Sequence, residues 1–305
     1  MARPDVQAAV EVLRVGGLVA FPTETVYGLG ADAANPAAVR RLYEVKGRPG
    51  DHPLIVHIAA SGLLLDWADA VPPAAEALAA ACWPGPLTMV LARRPQVDAT
   101  VAGGRDTIGL RVPSHPLALE LLLAFGGGVA APSANRFGHV SPTTAEHVRA
   151  DLGREVDLIL DGGPCAVGVE STIVDLTVDP PAILRPGGIP AEAIEAIIGE
   201  PVLTDDVGPS RAPGMLASHY APRARVEVVE DPALAEARVG ELLAAGVHAE
   251  LLRPGPDPDR FARHLYAWLR EADARAAEVV IAVPPPAVGL GWAVRDRLRK
   301  AAGPR

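Results

Sequence analysis

The chain is most constrained by one stretch near its start, Gly17-Leu18-Val19-Ala20-Phe21-Pro22-Thr23-Glu24-Thr25-Val26-Tyr27-Gly28-Leu29-Gly30. An apolar run the length of a buried strand ends at Phe21. It then gives way to a proline, three hydroxyl or carboxyl residues and two glycines. Such a change of composition marks a binding loop at a strand's end. Its sequel is equally polar and turn-rich: Lys46-Gly47-Arg48-Pro49-Gly50-Asp51-His52-Pro53-Leu54-Ile55-Val56-His57.

Lysine usage sharpens the second segment. Of 28 basic residues, all but Lys46 and Lys300 are arginine, and Lys300 reads as part of a tail. Where an arginine bias has been resisted, a compact ammonium on a flexible stem suits a phosphate contact that a guanidinium fork does not make. A solvated lysine ending a helix is the alternative. Arg48, two residues on among glycines and prolines, favours the first reading.

Several polar residues also stand at or near strand ends. Ala131-Pro132-Ser133-Ala134-Asn135 follows a short apolar strand, and its hydroxyl and amide can bind phosphate or ribose oxygens without adding charge; a turn is the alternative. Arg185 lies just beyond Ala182-Ile183-Leu184, and Arg111 follows another apolar strand, where a carboxylate partner would satisfy an otherwise costly charge. His57 lies inside an apolar strand, where a satisfied core histidine is an equal alternative. Gly28-x-Gly30-x-x-Ala33 imitates a dinucleotide fingerprint, but polar and turn residues separate it from the preceding strand. No Gly-x4-Gly-Lys-Ser/Thr loop exists, so an ATP site here is not of the P-loop kind. No Ser-His-Asp or Cys-His arrangement proposes a covalent nucleophile.

At 305 residues and 49% hydrophobic content the chain has room for two domains with substantial cores. Helices are expected over 6–13, 36–46, 73–82, 115–125 and 191–198. Strands are expected over 18–21, 54–58, 87–91, 107–112, 129–131, 158–160, 170–176 and 182–185. A Gly/Pro-rich linker at 208–214 separates these from strands at 225–229, 248–252 and 278–282, interleaved with helical stretches. This alternation predicts an α/β layer structure. Net charge is −9, so tight nonspecific binding to RNA or an anionic membrane is not expected. A nucleic-acid-binding module would need a basic stripe with stacking aromatics, and aromatics make up only 4% of the chain. Cys82 and Cys165 form no Cys-x-x-Cys pair, no apolar run is long enough for a membrane helix, and no signal-peptide core opens the chain. A reduced, cytoplasmic protein is expected. The arginine-rich, aromatic-poor composition fits a heat-adapted protein and a GC-rich gene equally.

The Pro22-Thr23-Glu24-Thr25-x-x-Tyr-Gly-Leu run, Lys46-x-Arg48-Pro49 and Pro53-Leu54-Ile55-x-His57 resemble, in order, the signatures of the YrdC-like family of threonylcarbamoyl-AMP synthases. The segment after residue 200 resembles that family's longer, two-domain form. The resemblance implies a YrdC-like twisted open-sheet domain with a concave cleft over 1–199, a linker and lid over 200–222, and a smaller C-terminal, Rossmann-like α/β domain over 223–305. Within the linker, Pro213-Gly214-Met215-x-x-Ser218-His219-Tyr220-Ala221-Pro222 matches a segment able to fold over the cleft.

The implied activity joins L-threonine, bicarbonate and ATP into threonylcarbamoyl-AMP and pyrophosphate, a nucleotidyl transfer, with hand-off to a tRNA threonylcarbamoyl transferase complex. ATP contacts carry over to Lys46, Arg48, His52, Thr107, Ser133, Asn135, Ser141, Arg185 and Tyr220, with Lys46 and Arg48 as catalytic charges. Threonine contacts carry over to Thr25, His57, Arg111, Ser171 and the backbone at Ala131. His52 stands where relatives have asparagine, although imidazole can still donate a hydrogen bond. Magnesium is expected to arrive with ATP, since no carboxylate and histidine cluster proposes a protein cage. Carbamoyltransferases of hydrogenase maturation share the module, but they carry paired-cysteine zinc motifs that this chain lacks.

Overall fold

A computed structural model describes residues 5–204, 220–253, 255 and 257–303. The expected linker at 208–214 and most of the expected lid lie outside them. From the first helix, α1 (Val6–Arg14), capped by Asp5, the chain enters β1 (Val19–Phe21). It continues through β2 (Gly28–Asp32), α2 (Pro36–Lys46), β3 (Ile55–His57), α3 (Leu64–Trp67), α4 (Pro73–Cys82), β4 (Leu87–Ala92) and β5 (Thr107–Arg111). Next come α5 (Pro116–Phe125), β6 (Val129–Ala130), α6 (Ala145–Leu152), β7 (Leu158–Ile159), β8 (Thr172–Asp175), β9 (Ala182–Arg185) and α7 (Ala191–Ile198).

These strands form one mixed nine-stranded sheet, ordered β7-β1-β2-β6-β3-β5-β4-β8-β9. Pairs β3–β5, β4–β8 and β1–β7 run parallel, and the other neighbours run antiparallel. The sheet is built from two- to six-residue strands, most of them apolar and buried, with β7 half-buried at one edge. Helices α1 and α5 cover one region with Leu13, Leu121 and Leu122, packed on Phe21 and Val129. Each such side chain removed from water is worth about 1.5–3 kcal/mol.

The sequence reading placed Gly28 and Gly30 in a loop, and here it needs correction. The polar turn is shorter, and the chain returns as β2 antiparallel to β1, with Phe21 opposite Gly28 and Val19 opposite Gly30. Both glycines serve close packing. A Cβ at Gly30 would stand 2.8 Å from Val129 Cγ1 and 2.9 Å from Phe21 Cε1. Helix α6 was also absent from the expected elements, although Thr144 caps it by accepting from the His147 amide.

Helix α2 shows how local chemistry aims the second signature. Asn35 accepts from the Ala37 and Ala38 amides, Pro36 sits in the first turn, and Gly47 takes a left-handed φ of 62° to end the helix. Lys46 therefore occupies the last helical turn, and Arg48 leaves on a new heading.

The C-terminal unit comprises β10 (Arg225–Val228), α8 (Pro232–Ala244), β11 (Ala249–Leu252), α9 (Pro258–Ala274), β12 (Val279–Ala282) and α10 (Gly291–Ala301). Its sheet is parallel, ordered β10-β12-β11. Helix α9 buries Phe261, Leu265, Tyr266 and Leu269 in a cluster that also holds Val26, Val140 and Val169 of the first unit. The two units thus share a core. Arg270 reinforces it with a bidentate pair to Asp151, at 2.9 and 2.6 Å. Lys300 is no part of a loose tail: it is buried in α10, with Nζ 2.9 Å from Asp296 Oδ1. Among the described residues no helix is long and apolar enough to cross a membrane.

Gly30→Ala should destabilise the fold by about 1–3 kcal/mol, because neither Phe21 nor Val129 can retreat within a packed sheet. Chemical denaturation checks this, and an unchanged midpoint would contradict it.

Candidate active site

Nine of the fourteen expected site residues converge on one cleft at the ends of β1, β3, β5, β6 and β9. Its wall includes Thr25, Arg48, His57, Arg111, Ala131, Ser133, Ser171, Arg185 and Tyr220. Lys46, His52, Thr107, Asn135 and Ser141 do not line it.

At one end, Arg111 closes β5 and is buried. Its Nη2 donates to Glu24 Oε1 at 2.7 Å and to Thr25 Oγ1 at 3.0 Å, while Nε donates to the Gly85 carbonyl. Glu24 Oε2 accepts from the Ser114 amide. Burial pushes the Glu24 carboxyl up, but Arg111 outweighs it and holds the group below the usual carboxylate range. The turn after Phe21 is braced internally. Thr23 Oγ1 donates to the Val26 carbonyl at 2.6 Å and lies 2.8 Å from Thr25 Oγ1. His57, the last residue of β3, is in register with Arg111 and meets the Phe21 ring edge-on at 6.0 Å. Its Nδ1 is buried without a hydrogen-bond partner. Burial and the Arg111 charge push the imidazole down to about 3, so it is neutral at physiological pH. This end offers a guanidinium, hydroxyls and a neutral ring, a set suited to a small zwitterion.

The other end is built from arginines and loop backbone. Arg48 donates through Nη2 to the Pro53 carbonyl at 2.9 Å and through Nε to the His52 carbonyl at 3.3 Å, and it lies over the Phe137 ring at 5.5 Å. Burial brings it down to about 10, which leaves it charged at neutral pH. Arg185, at the end of β9, holds the Ser171 carbonyl through Nε and Nη2 at 3.1 and 2.9 Å. Ser171 Oγ in turn meets Thr88 Oγ1 at 2.8 Å. Tyr220 is buried, with a positive φ of 62°, beside an Ala221 amide that donates to the Gly138 carbonyl.

Lys46 stands behind this wall. Its Nζ donates to the carbonyls of Ser133 and Asn135, both at 2.5 Å, so it clamps the loop that presents Ser133. Burial, with Arg48 adding to it, lowers the pKa of this ammonium well below the lysine range. Asn135 Nδ2 donates to the carbonyls of Arg136 and His139. Ser141 Oγ donates to Glu170 Oε1 at 2.7 Å. His52 packs its ring against Phe137 at 5.4 Å. Thr107 begins β5 at the end opposite Arg111, about 13 Å away at the usual rise per residue.

Glu24 and Glu170 were not among the expected site residues. Glu170 lines the cleft and its carboxylate is saturated, accepting from Ser141, from Tyr266 Oη and from Arg297 Nε. Burial would raise it, yet Arg297 and Arg185 outweigh that and hold it at about 2. A signal was present in the sequence: an acid inside Gly168-Val169-Glu170-Ser171-Thr172-Ile173 has to be answered by a buried cation. That cation comes from 127 residues downstream, a distance no local pattern reports.

His57 gives a pH test. Its folded pKa is depressed, so between pH 6.5 and 3 the unfolded chain binds a proton that the folded chain refuses, and stability falls on acidification. His57→Gln should flatten the dependence of unfolding free energy on pH in that window by up to about 1.4 kcal/mol per pH unit. Denaturant titrations at pH 4, 5 and 6 measure the slope. A slope equal to that of the wild type would contradict the burial-driven shift.

Comparison with known proteins agrees with this architecture. Residues 11–187 match the Sua5, YciO and YrdC family model described as telomere recombination, and residues 189–303 match the threonylcarbamoyl-AMP synthase C-terminal domain. The threonylcarbamoyl-AMP synthase of Pyrococcus abyssi is 44% identical, over 98% of this chain and 94% of its own length. The Bacillus subtilis protein of that name is 42% identical, over 99% and 94%. The crystal structure of P. abyssi Sua5 complexed with L-threonine superposes with a TM-score of 0.94 at 42% identity, covering 97% of this chain and 94% of that one. Escherichia coli YciO matches with a TM-score of 0.53 at 29% identity, covering 61% of this chain and 93% of its own. With both of its units matched and full-length relatives above 40% identity, the chain belongs to the Sua5, YciO and YrdC family, in the threonylcarbamoyl-AMP synthase form that carries the C-terminal domain.

Proposed function

We propose that this chain is an L-threonylcarbamoyladenylate synthase, a nucleotidyltransferase acting on ATP, L-threonine and bicarbonate. The observation that carries the reading is Arg48, a buried guanidinium on the cleft wall whose hydrogen bonds go to the carbonyls of His52 and Pro53. A bound polyphosphate would supply the opposite charge, and in a water-poor cleft that attraction is strong. Arg111, at the far end, is the fork for an amino acid's carboxylate, with Thr25 and Ser171 as hydroxyl partners. Neutral His57 and the backbone at Ala131 complete that pocket.

In the reaction, threonine's amine condenses with bicarbonate to a carbamate, with loss of water. A carbamate oxygen attacks the α-phosphorus of ATP, and the bond from that phosphorus to the bridging oxygen breaks. Pyrophosphate leaves with the electron pair. The protein supplies position and preorganised positive charge, and no covalent intermediate is required. Arg48 and Arg185 bear on the phosphates directly, with Ser133 and Tyr220 on the same wall. Lys46 acts from behind, through its grip on the Ser133 loop. Asn135 and Ser141 likewise serve the nucleotide from the second layer, while His52 and Thr107 would meet it only beyond the cleft's present margin.

Magnesium would come with the triphosphate. Glu24 and Glu170 are both engaged by arginine, and among the described residues no group of three His, Cys, Asp or Glu could hold a metal ion, so no step above passes through one. The same reading makes residues up to about 199 the catalytic unit and those from about 223 the small unit. It hands the labile product to a separate tRNA threonylcarbamoyl transferase in the cytoplasm, where the free thiols of Cys82 and Cys165 would be at home.

Mass spectrometry after incubation with ATP, bicarbonate and L-threonine should detect threonylcarbamoyl-AMP and an equal amount of pyrophosphate, with serine as a control. Lys46→Ala should lower that turnover by about 100-fold or more while far-UV circular dichroism remains native. Absence of the product from the wild type would reject the reading, and near-normal turnover in the variant would reject the role of Lys46.

A further inference from the structure

One cation buried in the C-terminal unit bears on the cleft without reaching it. Arg297, on α10, has a fully buried side chain and is absent from the cleft wall. Its Nε donates to Glu170 Oε2 at 2.7 Å, its Nη1 donates to Asp296 Oδ2 at 2.5 Å, and its guanidinium lies over the Tyr220 ring at 5.0 Å. Tyr266, on α9, donates to both Glu170 oxygens, at 3.0 and 2.8 Å, and stacks on Tyr220 at 5.8 Å. Burial and the Glu170 charge raise the Tyr266 pKa well above the usual phenol range, so it remains a donor. Glu170 and Tyr220 both line the cleft, and Ser171, next in sequence, is the residue that Arg185 grips.

From this arrangement we infer that Arg297, assisted by Tyr266, is a positioning residue for the nucleotide half of the cleft, acting through Glu170 and Tyr220 without touching substrate. The inference rests on the proposed reading of that half as the ATP site. Its physical basis is that a carboxylate buried beside bound phosphates repels them unless its charge is neutralised and its oxygens are held. Arg297 does both, and it fixes the face of Tyr220 in the same contact. The threonine end is held differently: among the described residues, the side chains of Arg111, Thr25 and Glu24 complete their hydrogen bonds within the first unit. The small unit thereby braces the wall of the active site from behind.

Calorimetric titration of ATP and of L-threonine, each alone, into the full-length protein separates the outcomes. Arg297→Met should weaken ATP about tenfold or more and leave threonine within about twofold. Arg297→Lys should recover part of the loss. In a Glu170→Gln background, Arg297→Met should cost ATP affinity less than it does alone, because the charge it answers is gone. Should Arg297→Met fail to fold, Tyr266→Phe, which keeps the ring, should weaken ATP selectively and to a smaller degree. Unchanged ATP affinity in the folded variants, or equal losses for both ligands, would overturn the inference alone. A wild type that binds neither ligand would overturn the functional reading and the inference with it.

Discussion

Buried positive charge is the constraint on which this structure depends. Arg48, Arg111, Arg185 and Arg297 are all nearly removed from water, and a guanidinium so placed has to be answered by acceptors. Arg111 is answered by Glu24 and Arg297 by Glu170 and Asp296. Arg48 is held by main-chain carbonyls, which orient it without cancelling its charge. The cleft is therefore neutralised where a zwitterion would sit and electropositive where a polyphosphate would. Lys46 lies beneath the same wall, its Nζ spent on two carbonyls.

Secondary structure serves that charge arrangement. The arginines that face the cleft sit at or beyond the ends of elements: Arg111 and Arg185 terminate strands, and Arg48 follows the left-handed glycine that ends α2. At such positions the sheet fixes the backbone while the side chain is free to reach forward. The C-terminal unit then closes the back of the site. Gly168, at a φ of 82°, lets α9 approach so nearly that a Cβ there would stand 2.5 Å from the Arg263 Cα. That approach brings Tyr266 onto Glu170.

The α/β organisation was legible from sequence because it is written in local chemistry. Asn35-Pro36, His115-Pro116 and the apolar strand runs announce their elements within a few residues. The cleft-wall residues Arg111, Ser133 and Arg185 were singled out by the family resemblance, since a turn or an ion pair accounts equally well for such residues at a strand's end. What stayed hidden depends on contacts distant in sequence. Gly28 and Gly30 read as loop because their strand is specified by Phe21 and Val129 packing over bare backbone, not by β-prone side chains. Lys300 read as tail because the helix that carries it and Asp296 is tied to the first unit through Arg297 and Glu170, which are 127 residues apart. Glu24 and Glu170 were passed over because their roles belong to their arginine partners.

The most direct test of the account is a crystal structure of this protein with a non-hydrolysable ATP analogue and L-threonine. The threonine carboxylate should be hydrogen-bonded to Arg111 and the triphosphate should lie against Arg48 and Arg185, both ligands in the one cleft. Threonine bound away from Arg111, or a nucleotide with its phosphates out of reach of both arginines, would contradict it.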